Sequence, residues 1–155
     1  MIEIYTDGST LGNGKKDATG GFGVVVVEDG KIIQAHSMRA KGTTNNREEM
    51  KAILWALINY GDRTPTPVVY SDSSYCVNTF NQWMNTWKAN GWKKSDKRPP
   101  ENLDIVQNYD ILKTKYGRKI NLKYIKGHAG HIGNELADQL ATGKIEPEDI
   151  EGREI

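Results

Sequence analysis

The sequence predicts one α/β domain built on a five-stranded mixed sheet with helices on both faces. Three strand-like segments come first, and helical segments then alternate with two further strands. Neighbouring early strands can pair through tight turns, whereas strands separated by helices pair in parallel through right-handed crossovers. The length of 155 residues suits one domain rather than two.

The strands are marked by β-branched residues that end at turn residues. Residues 2–6 alternate in polarity and precede Asp7-Gly8-Ser9, which we interpret as a turn. Residues 24–27 are four valines, and a turn at residues 28–30 makes them half of a hairpin. The predicted strands begin at Ile2, Val24, Lys31, Val68 and Ile120.

The helices are marked by apolar residues at every third or fourth position. Residues 46–60 show this spacing most clearly, and Gly61 follows as an end signal. Further helices are predicted over residues 81–87, 102–116 and 134–141. We expect a folded domain over residues 1–143 and an acidic, loosely held C-terminal tail over residues 144–155.

Composition limits the classes of partner. The 21 basic and 20 acidic residues give a formal net charge of +1, so a nucleic acid could be bound only through local basic patches. No segment approaches the roughly 18 apolar residues of a membrane helix, and no basic leader is seen, so we expect a cytoplasmic protein without a membrane partner. Cys76 is the single cysteine, and its apolar neighbours favour a core residue over a catalytic thiol.

Two acids stand where predicted strands end. Asp7 follows the first strand, and Asp72 follows the strand that begins at Val68. An acid among β-branched and aromatic residues is partly desolvated, so it needs a cation or hydrogen-bond donors to stay ionised. Taken alone, Asp7 could be an ordinary turn residue and Asp72 the N-cap of the next helix.

Helical phase separates the two acids near the start of the helix over residues 46–60. At about 100° per residue, the apolar stripe is centred near Met50, which puts Glu49 on its border and Glu48 nearly opposite. We therefore expect Glu49 to face a site at the edge of the core and Glu48 to face water. Asp138 lies beside apolar residues of the last predicted helix, where a surface charge is the alternative.

The donor set indicates a hard cation. Four acids without a histidine or cysteine cluster suit Mg²⁺, or Mn²⁺ as a substitute, better than zinc. Two such ions about 4 Å apart can position an attacking water and stabilise the leaving oxygen of a phosphodiester.

Four segments resemble the type-I ribonuclease H family, and its bacterial members most closely. Each is weak alone, but all four occur in the family's order. The segments are Tyr5-Thr6-Asp7-Gly8-Ser9 with Gly12-Asn13, Thr43-Thr44-Asn45-Asn46-Arg47-Glu48-Glu49, Tyr70-Ser71-Asp72-Ser73, and Lys126-Gly127-His128-Ala129-Gly130-His131 leading to residues 134–138.

The resemblance implies the ribonuclease H-like fold and an endonuclease that hydrolyses the RNA strand of an RNA/DNA hybrid by two-metal-ion catalysis. It implies that the protein acts as a monomer and leaves 5′-phosphate ends. His128 is implied to transfer protons or assist product release from a mobile loop, and a structural loop histidine is the alternative. The implied ligands of the two Mg²⁺ ions are Asp7, Glu49, Asp72 and Asp138.

The resemblance also implies a substrate groove. Asn13, Thr44 and Asn45 would contact phosphate oxygens, 2′-hydroxyls or base edges. The basic, Trp-rich residues 83–98 resemble the family's hybrid-binding protrusion, with the lysines along the DNA strand and a solvated charge run as the alternative. Trp83 and Trp92 are expected mainly in the core. The protrusion residues expected at the substrate are Trp87, Lys88, Lys93, Lys94, Lys97 and Arg98.

Two further segments have weaker interpretations. The basic run over residues 113–126 is interpreted mostly as a solvated face. The loop over residues 13–20 is a few residues longer than the compact loop common in bacterial relatives. A DNA-processing nuclease of the same fold and a hybrid-binding module without catalysis are the competing interpretations of the whole chain.

Overall fold

In the part of the chain that the structure describes, five strands form one mixed sheet. They are β1 (Ile2–Leu11), β2 (Thr19–Glu28), β3 (Lys31–Lys41), β4 (Val68–Ser71) and β5 (Asn121–Tyr124). The strand order is β3-β2-β1-β4-β5, with antiparallel pairing from β3 to β1 and parallel pairing from β1 to β5. The computed structural model describes residues 1–13 and 15–155, so Gly14, in the loop predicted to be long, lies outside the described residues.

Among the described residues, five α-helices connect and cover the sheet. They are α1 (Asn45–Tyr60), α2 (Ser74–Asn78), α3 (Met84–Ala89), α4 (Leu103–Thr114) and α5 (Ile132–Thr142). A π-helical turn, Thr79–Trp83, joins α2 to α3, and a 3₁₀ turn, Pro147–Asp149, follows α5. In the described part of the chain, no helix combines the length and apolar character needed to cross a membrane.

Strand β2 is buried on both faces of the sheet, which explains its four consecutive valines. Val24 and Val26 pack in the core beneath α1, whereas Val25 and Val27 pack in a second core beneath α5. Because successive side chains of a strand point to opposite faces, an unbroken apolar run requires cover on both sides. The predicted mixed sheet with helices on both faces is confirmed.

The β2–β3 hairpin turns where the sequence predicts it. Glu28 pairs with Lys31, which leaves Asp29 and Gly30 as a two-residue connection. Both residues have positive φ, 52° and 76°, as a type I′ turn requires.

Strand β1 is longer than predicted. Asp7 does not end the strand, because β1 continues to Leu11 as the partner of β2, and Gly8 pairs with Phe22. Gly8 and Ser9 have the composition of a turn, but ten residues of pairing with β2 keep them extended. The parallel pairing of β1 with β4 does end at Thr6. The predicted end of the first strand is therefore correct for its pairing with β4, but not for its pairing with β2.

The C-terminal tail is not loosely held, so that expectation is wrong. Ile150 is 1% exposed and belongs to the core beneath α5. The backbone of Ile32 in β3 donates to Arg153 and accepts from Gly152, both at 2.8 Å. The acidic composition concealed this packing, because the segment docks on the edge strand through Ile145, Ile150 and backbone hydrogen bonds, and not through its acidic residues.

We predict that Ile150→Ala lowers the free energy of unfolding by about 2–5 kcal/mol, because it leaves a cavity in the core beneath α5. Urea unfolding followed by circular dichroism measures the change. Glu148→Ala, at an exposed position of the same tail, is the matched control and should change stability by less than about 0.5 kcal/mol. Equal, small effects of both substitutions would show that the tail is not packed.

Candidate functional site

Carboxylates from separate elements converge at one edge of the sheet. Asp7 lies in β1, Glu49 near the start of α1, and Asp72 directly after β4. One oxygen of each lies within 4.8 Å of the others. With Asp138 of α5 and His128, they line a cleft of about 540 Å³. The four acids singled out in the sequence therefore share one site.

Strand register and a close backbone approach bring these acids together. Parallel pairing of β1 with β4 ends at Thr6 and Ser71, so Asp7 and Asp72 each follow the last paired residue. Strand β1 also runs against the start of α1, where a Cβ at Gly8 would overlap the backbone of Glu49. Glycine at this position lets the helix bring Glu49 to the strand.

Glu49 faces the cleft as predicted, but the prediction that Glu48 faces water is wrong. Glu48 is 0% exposed and Glu49 is 6% exposed. Ala52 and Ala56 are fully buried as well, and they had not been counted in the apolar stripe. Ile58, which was counted in that stripe, is 45% exposed, so the buried arc of α1 runs over about 200° from Met50 to Glu48 and is centred on Glu49.

Burial and like charges raise the pKa of two of these acids. Burial, reinforced by the charges of Asp72 and Asp138, raises the pKa of Asp7 from 3.8 to about 7. Burial, reinforced by Asp7, raises the pKa of Glu49 well above its usual range. Within the described residues, Oε2 of Glu49 is buried without a hydrogen-bond partner. A hard divalent cation fits this oxygen-only donor set, because it would compensate the repulsion and bind the unpartnered oxygen.

Asn134 is a residue of the site whose contact the sequence did not reveal. It is 4% exposed, and its Nδ2 donates to Oδ2 of Asp72 at 3.5 Å. The available signal was an amide on the apolar face of the last helix, one turn before Asp138. Gly127 closes the other side of Asp72, because a Cβ there would lie 2.8 Å from the same oxygen.

His128 lies on the loop between β5 and α5 and lines the cleft. It is exposed, and its backbone has a positive φ of 55°. Gly127 and Gly130 lie on either side of it in the loop. Cys76, in contrast, is fully buried, and burial raises the pKa of its thiol to about 11, in agreement with a core role.

Of the predicted groove residues, Asn45 lines the cleft, Asn13 is hydrogen-bonded to it, and Thr44 caps α1. Thr44 caps α1 by accepting from the backbone of Arg47 at 3.2 Å. The backbone of Asn45 donates to Oδ1 of Asn13 at 2.9 Å, and Oγ1 of Thr10 donates to Oδ1 of Asn45 at 2.6 Å. Thr10 was not identified from the sequence, because nothing in β1 marks it as facing residue 45.

The Trp-rich protrusion extends from the π-helical turn to residue 98. Trp92 packs at the edge of the core, as expected. Trp83 is only half-buried, between Tyr75 at 5.5 Å and Trp87 at 6.3 Å, measured between ring centroids. The backbone of Trp92 donates to Trp87 at 2.7 Å, which ties the loop to the end of α3.

The lysines of the protrusion differ in their surroundings. Nζ of Lys88 lies 2.9 Å from Oδ2 of Asp110, whose side chain is 8% exposed, so Lys88 is held by α4. Lys93 and Lys97 are exposed, and Lys94 is half-buried, 4.0 Å from Asp96. Lys88 therefore has a structural contact, which its place in a basic run did not indicate.

Comparison with known proteins identifies the family. The family model described as RNase H matches residues 1–146. The chain belongs to the RNase H family. The resemblance based on four short segments is thus confirmed for a bacterial type-I member.

Relatives of this RNase H family member match it over nearly their whole length. Ribonuclease H of Chromobacterium violaceum is 39% identical over 145 residues, which cover 94% of this chain and 95% of the relative. Ribonuclease HI of Vibrio vulnificus is 40% identical over 150 residues, covering 94% and 90%. The solution structure of the PFV RNase H domain superposes with a TM-score of 0.76 at 26% identity, covering 90% of this chain and 91% of that domain.

We predict that Asp7→Asn stabilises the metal-free protein, and more so at pH 8 than at pH 5. Because the folded-state pKa of Asp7 is raised from 3.8 to about 7, folding takes up a proton between these values, and wild-type stability falls as the pH rises through them. The amide carries no charge, so the variant escapes this loss. Urea unfolding in a chelating buffer measures both proteins.

The free energy of unfolding of Asp7→Asn should exceed that of wild type by at least about 1 kcal/mol at pH 8, since a shift of one pKa unit corresponds to about 1.4 kcal/mol. Glu135→Gln, an exposed acid on α5, is the matched control and should leave the pH profile unchanged. Parallel profiles for Asp7→Asn and wild type would contradict the prediction.

Proposed function

We propose that the protein is a ribonuclease H, an endonuclease that hydrolyses the RNA strand of RNA/DNA hybrids and leaves 5′-phosphate and 3′-hydroxyl ends. The observation that carries the proposal is the convergence of buried Asp7 and Glu49 and half-buried Asp72 on a cleft, in a chain of the RNase H family. We propose Asp7, Glu49, Asp72 and Asp138 as ligands of two Mg²⁺ ions, with Mn²⁺ as a possible substitute.

The residues of the cleft have separate tasks in this proposal. Bound divalent ions would activate the attacking water and stabilise the leaving oxygen of the scissile phosphodiester. Asp7 and Glu49 are fixed by the sheet and by α1, so they hold their oxygens without rearrangement. Asn134 orients Asp72 through the hydrogen bond to Oδ2, which fixes the direction of its remaining lone pairs.

His128 is proposed to move the proton that hydrolysis requires. Its exposed position in a glycine-containing loop lets the imidazole approach the leaving 3′-oxygen and then withdraw. An imidazole can donate a proton and recover it from solvent near neutral pH, so the residue can act in each cycle.

Selection of the hybrid is proposed to depend on two surfaces. Asn45 lines the cleft and is hydrogen-bonded to Asn13. The hydroxyl and amide groups of Asn13, Thr44 and Asn45 suit the 2′-hydroxyls and phosphates of RNA. Trp87, Lys93, Lys94, Lys97 and Arg98 of the protrusion would follow the DNA strand. We do not include Lys88, because its ammonium group is paired with Asp110. We further propose that the enzyme acts as a monomer in the cytoplasm.

We predict that wild type cuts the RNA strand of a hybrid and leaves duplex DNA intact, and that Asp72→Asn cuts neither. Loss of a residue that only orients a metal ligand lowers activity by up to about 100-fold. Removal of a metal ligand itself should therefore reduce kcat by more than about 100-fold. Labelled hybrid and duplex of equal sequence, incubated with Mg²⁺, measure both activities on denaturing gels.

Glu135→Gln is the control for this experiment and should retain full activity, since the residue is exposed on α5. Faster cutting of duplex DNA would favour a DNA-processing nuclease of the same fold. Binding of the hybrid without cutting by wild type would favour a binding module.

We also predict that changing Lys93, Lys94 and Lys97 together to Ala raises KM and flattens its dependence on salt. Each phosphate contact contributes about 0.7–0.9 to the slope of log affinity against log salt, so the slope should fall by about 2–3. Steady-state kinetics between low and moderate salt measure both quantities.

The matched control removes the same number of positive charges from the second basic run, with Lys113, Lys115 and Lys123 replaced by Ala. These residues are distant in sequence from the protrusion, and the control should leave the slope nearly unchanged. An equal effect of both triple variants would show that net charge, and not the protrusion, controls affinity.

A further inference from the structure

Glu48 is a fully buried acid that the proposed catalysis does not use. Its side chain is 0% exposed, although it directly precedes Glu49. Oε2 accepts a hydrogen bond from Oγ1 of Thr43 at 2.5 Å and lies 2.8 Å from Nζ of Lys51. Within the described residues, Oε1 is buried without a hydrogen-bond partner. We call Thr43, Glu48 and Lys51 the loop clamp.

Stability does not explain a carboxylate at this position. A buried acid loses its hydration, and an apolar side chain of similar volume often serves stability equally well or better. The one unpartnered oxygen increases that penalty. The carboxylate does hold the segment that enters α1 in one position, because it accepts a hydrogen bond from the Thr43 hydroxyl of that segment.

That segment carries residues of the proposed substrate groove. Thr43 is 3% exposed, Thr44 is half-buried and Asn45 is exposed, so the chain turns outwards over three residues. The hydrogen bond to Glu48 fixes the inner end of this turn. The outer end is fixed by Thr10 and Asn13, which bond to Asn45.

We propose that Glu48 is a positioning residue whose carboxylate, held between Thr43 and Lys51, keeps Thr44 and Asn45 in the geometry that binds the hybrid. The inference rests on the proposed function, since it assigns these two residues to the substrate. A segment ordered before binding loses less conformational entropy when the substrate arrives, so the loop clamp acts on affinity.

The test uses two substitutions at the same position. Glu48→Met has a similar volume but cannot accept from Thr43, so the Kd and KM for a hybrid should rise about tenfold, the value of one charged hydrogen bond. The kcat should stay within about twofold, and Tm should be unchanged or higher. Glu48→Gln retains an oxygen for Thr43, so it should restore most of the affinity.

Thr43→Val provides the matched partner substitution, because it removes the hydroxyl and keeps the shape. It should weaken hybrid binding as much as Glu48→Met, and the double variant should be no weaker than either single one. Amide hydrogen exchange of residues 43–47 in the free protein should be faster in each of these variants than in wild type.

Three results would overturn the proposal: unchanged Kd in Glu48→Met, additive effects in the double variant, or a loss of kcat and Tm that parallels the loss of affinity. The last would mean that Glu48 merely supports the fold or Glu49. Failure of wild type to bind or cut a hybrid would instead refute the proposed function, while the exchange rates would still report on the loop clamp.

Discussion

The mutual repulsion of Asp7, Glu49 and Asp72 is the constraint on which the arrangement of the molecule depends. Their oxygens lie within 4.8 Å of one another, and Asp7 and Glu49 are almost fully buried, so water screens their charges poorly. When all three are ionised they only accept hydrogen bonds, so they cannot hold one another by side-chain hydrogen bonds. The backbone holds them instead, through the register of β1 with β4 and the close approach of Gly8 to α1.

The backbone can do this because the sheet is covered on both faces. The residues of β2 belong alternately to the core beneath α1 and the core beneath α5, so neither face can move independently. Gly23 lets α5 approach β2 until a Cβ would overlap the carbonyl of Ala137, and Asp138 follows directly. The same close packing that stabilises the fold therefore sets the position of the fourth acid. The docked C-terminal tail completes the second core through Ile150.

Local patterns in the sequence were sufficient to predict the helices and strands, but not to predict what packs around them. The hairpin at Asp29 and Gly30 and the helix that ends near Gly61 were predictable because turn residues and apolar spacing determine them locally. The burial of Glu48 was not, because it depends on which elements cover that side of α1. The prediction of a loosely held C-terminal tail was wrong for the same reason, since acidic composition says nothing about backbone pairing with Ile32. Among the site residues, Asp7 was predicted from its place after a strand and Glu49 from its place on the helix, while the prediction of Asp138 required the family resemblance.

Glu48 and Glu49 show how surroundings give adjacent residues of one type opposite properties. Both are buried in the same helix, but Glu48 has a hydroxyl donor and an ammonium group within 2.8 Å, so its charge is compensated inside the protein. Glu49 has other carboxylates as neighbours instead, and burial, reinforced by these neighbours, raises its pKa. The compensated carboxylate of Glu48 suits a structural role, because its Oε2 is directed to fixed partners. An uncompensated one remains available, and a cation from solvent is the partner that its oxygens lack.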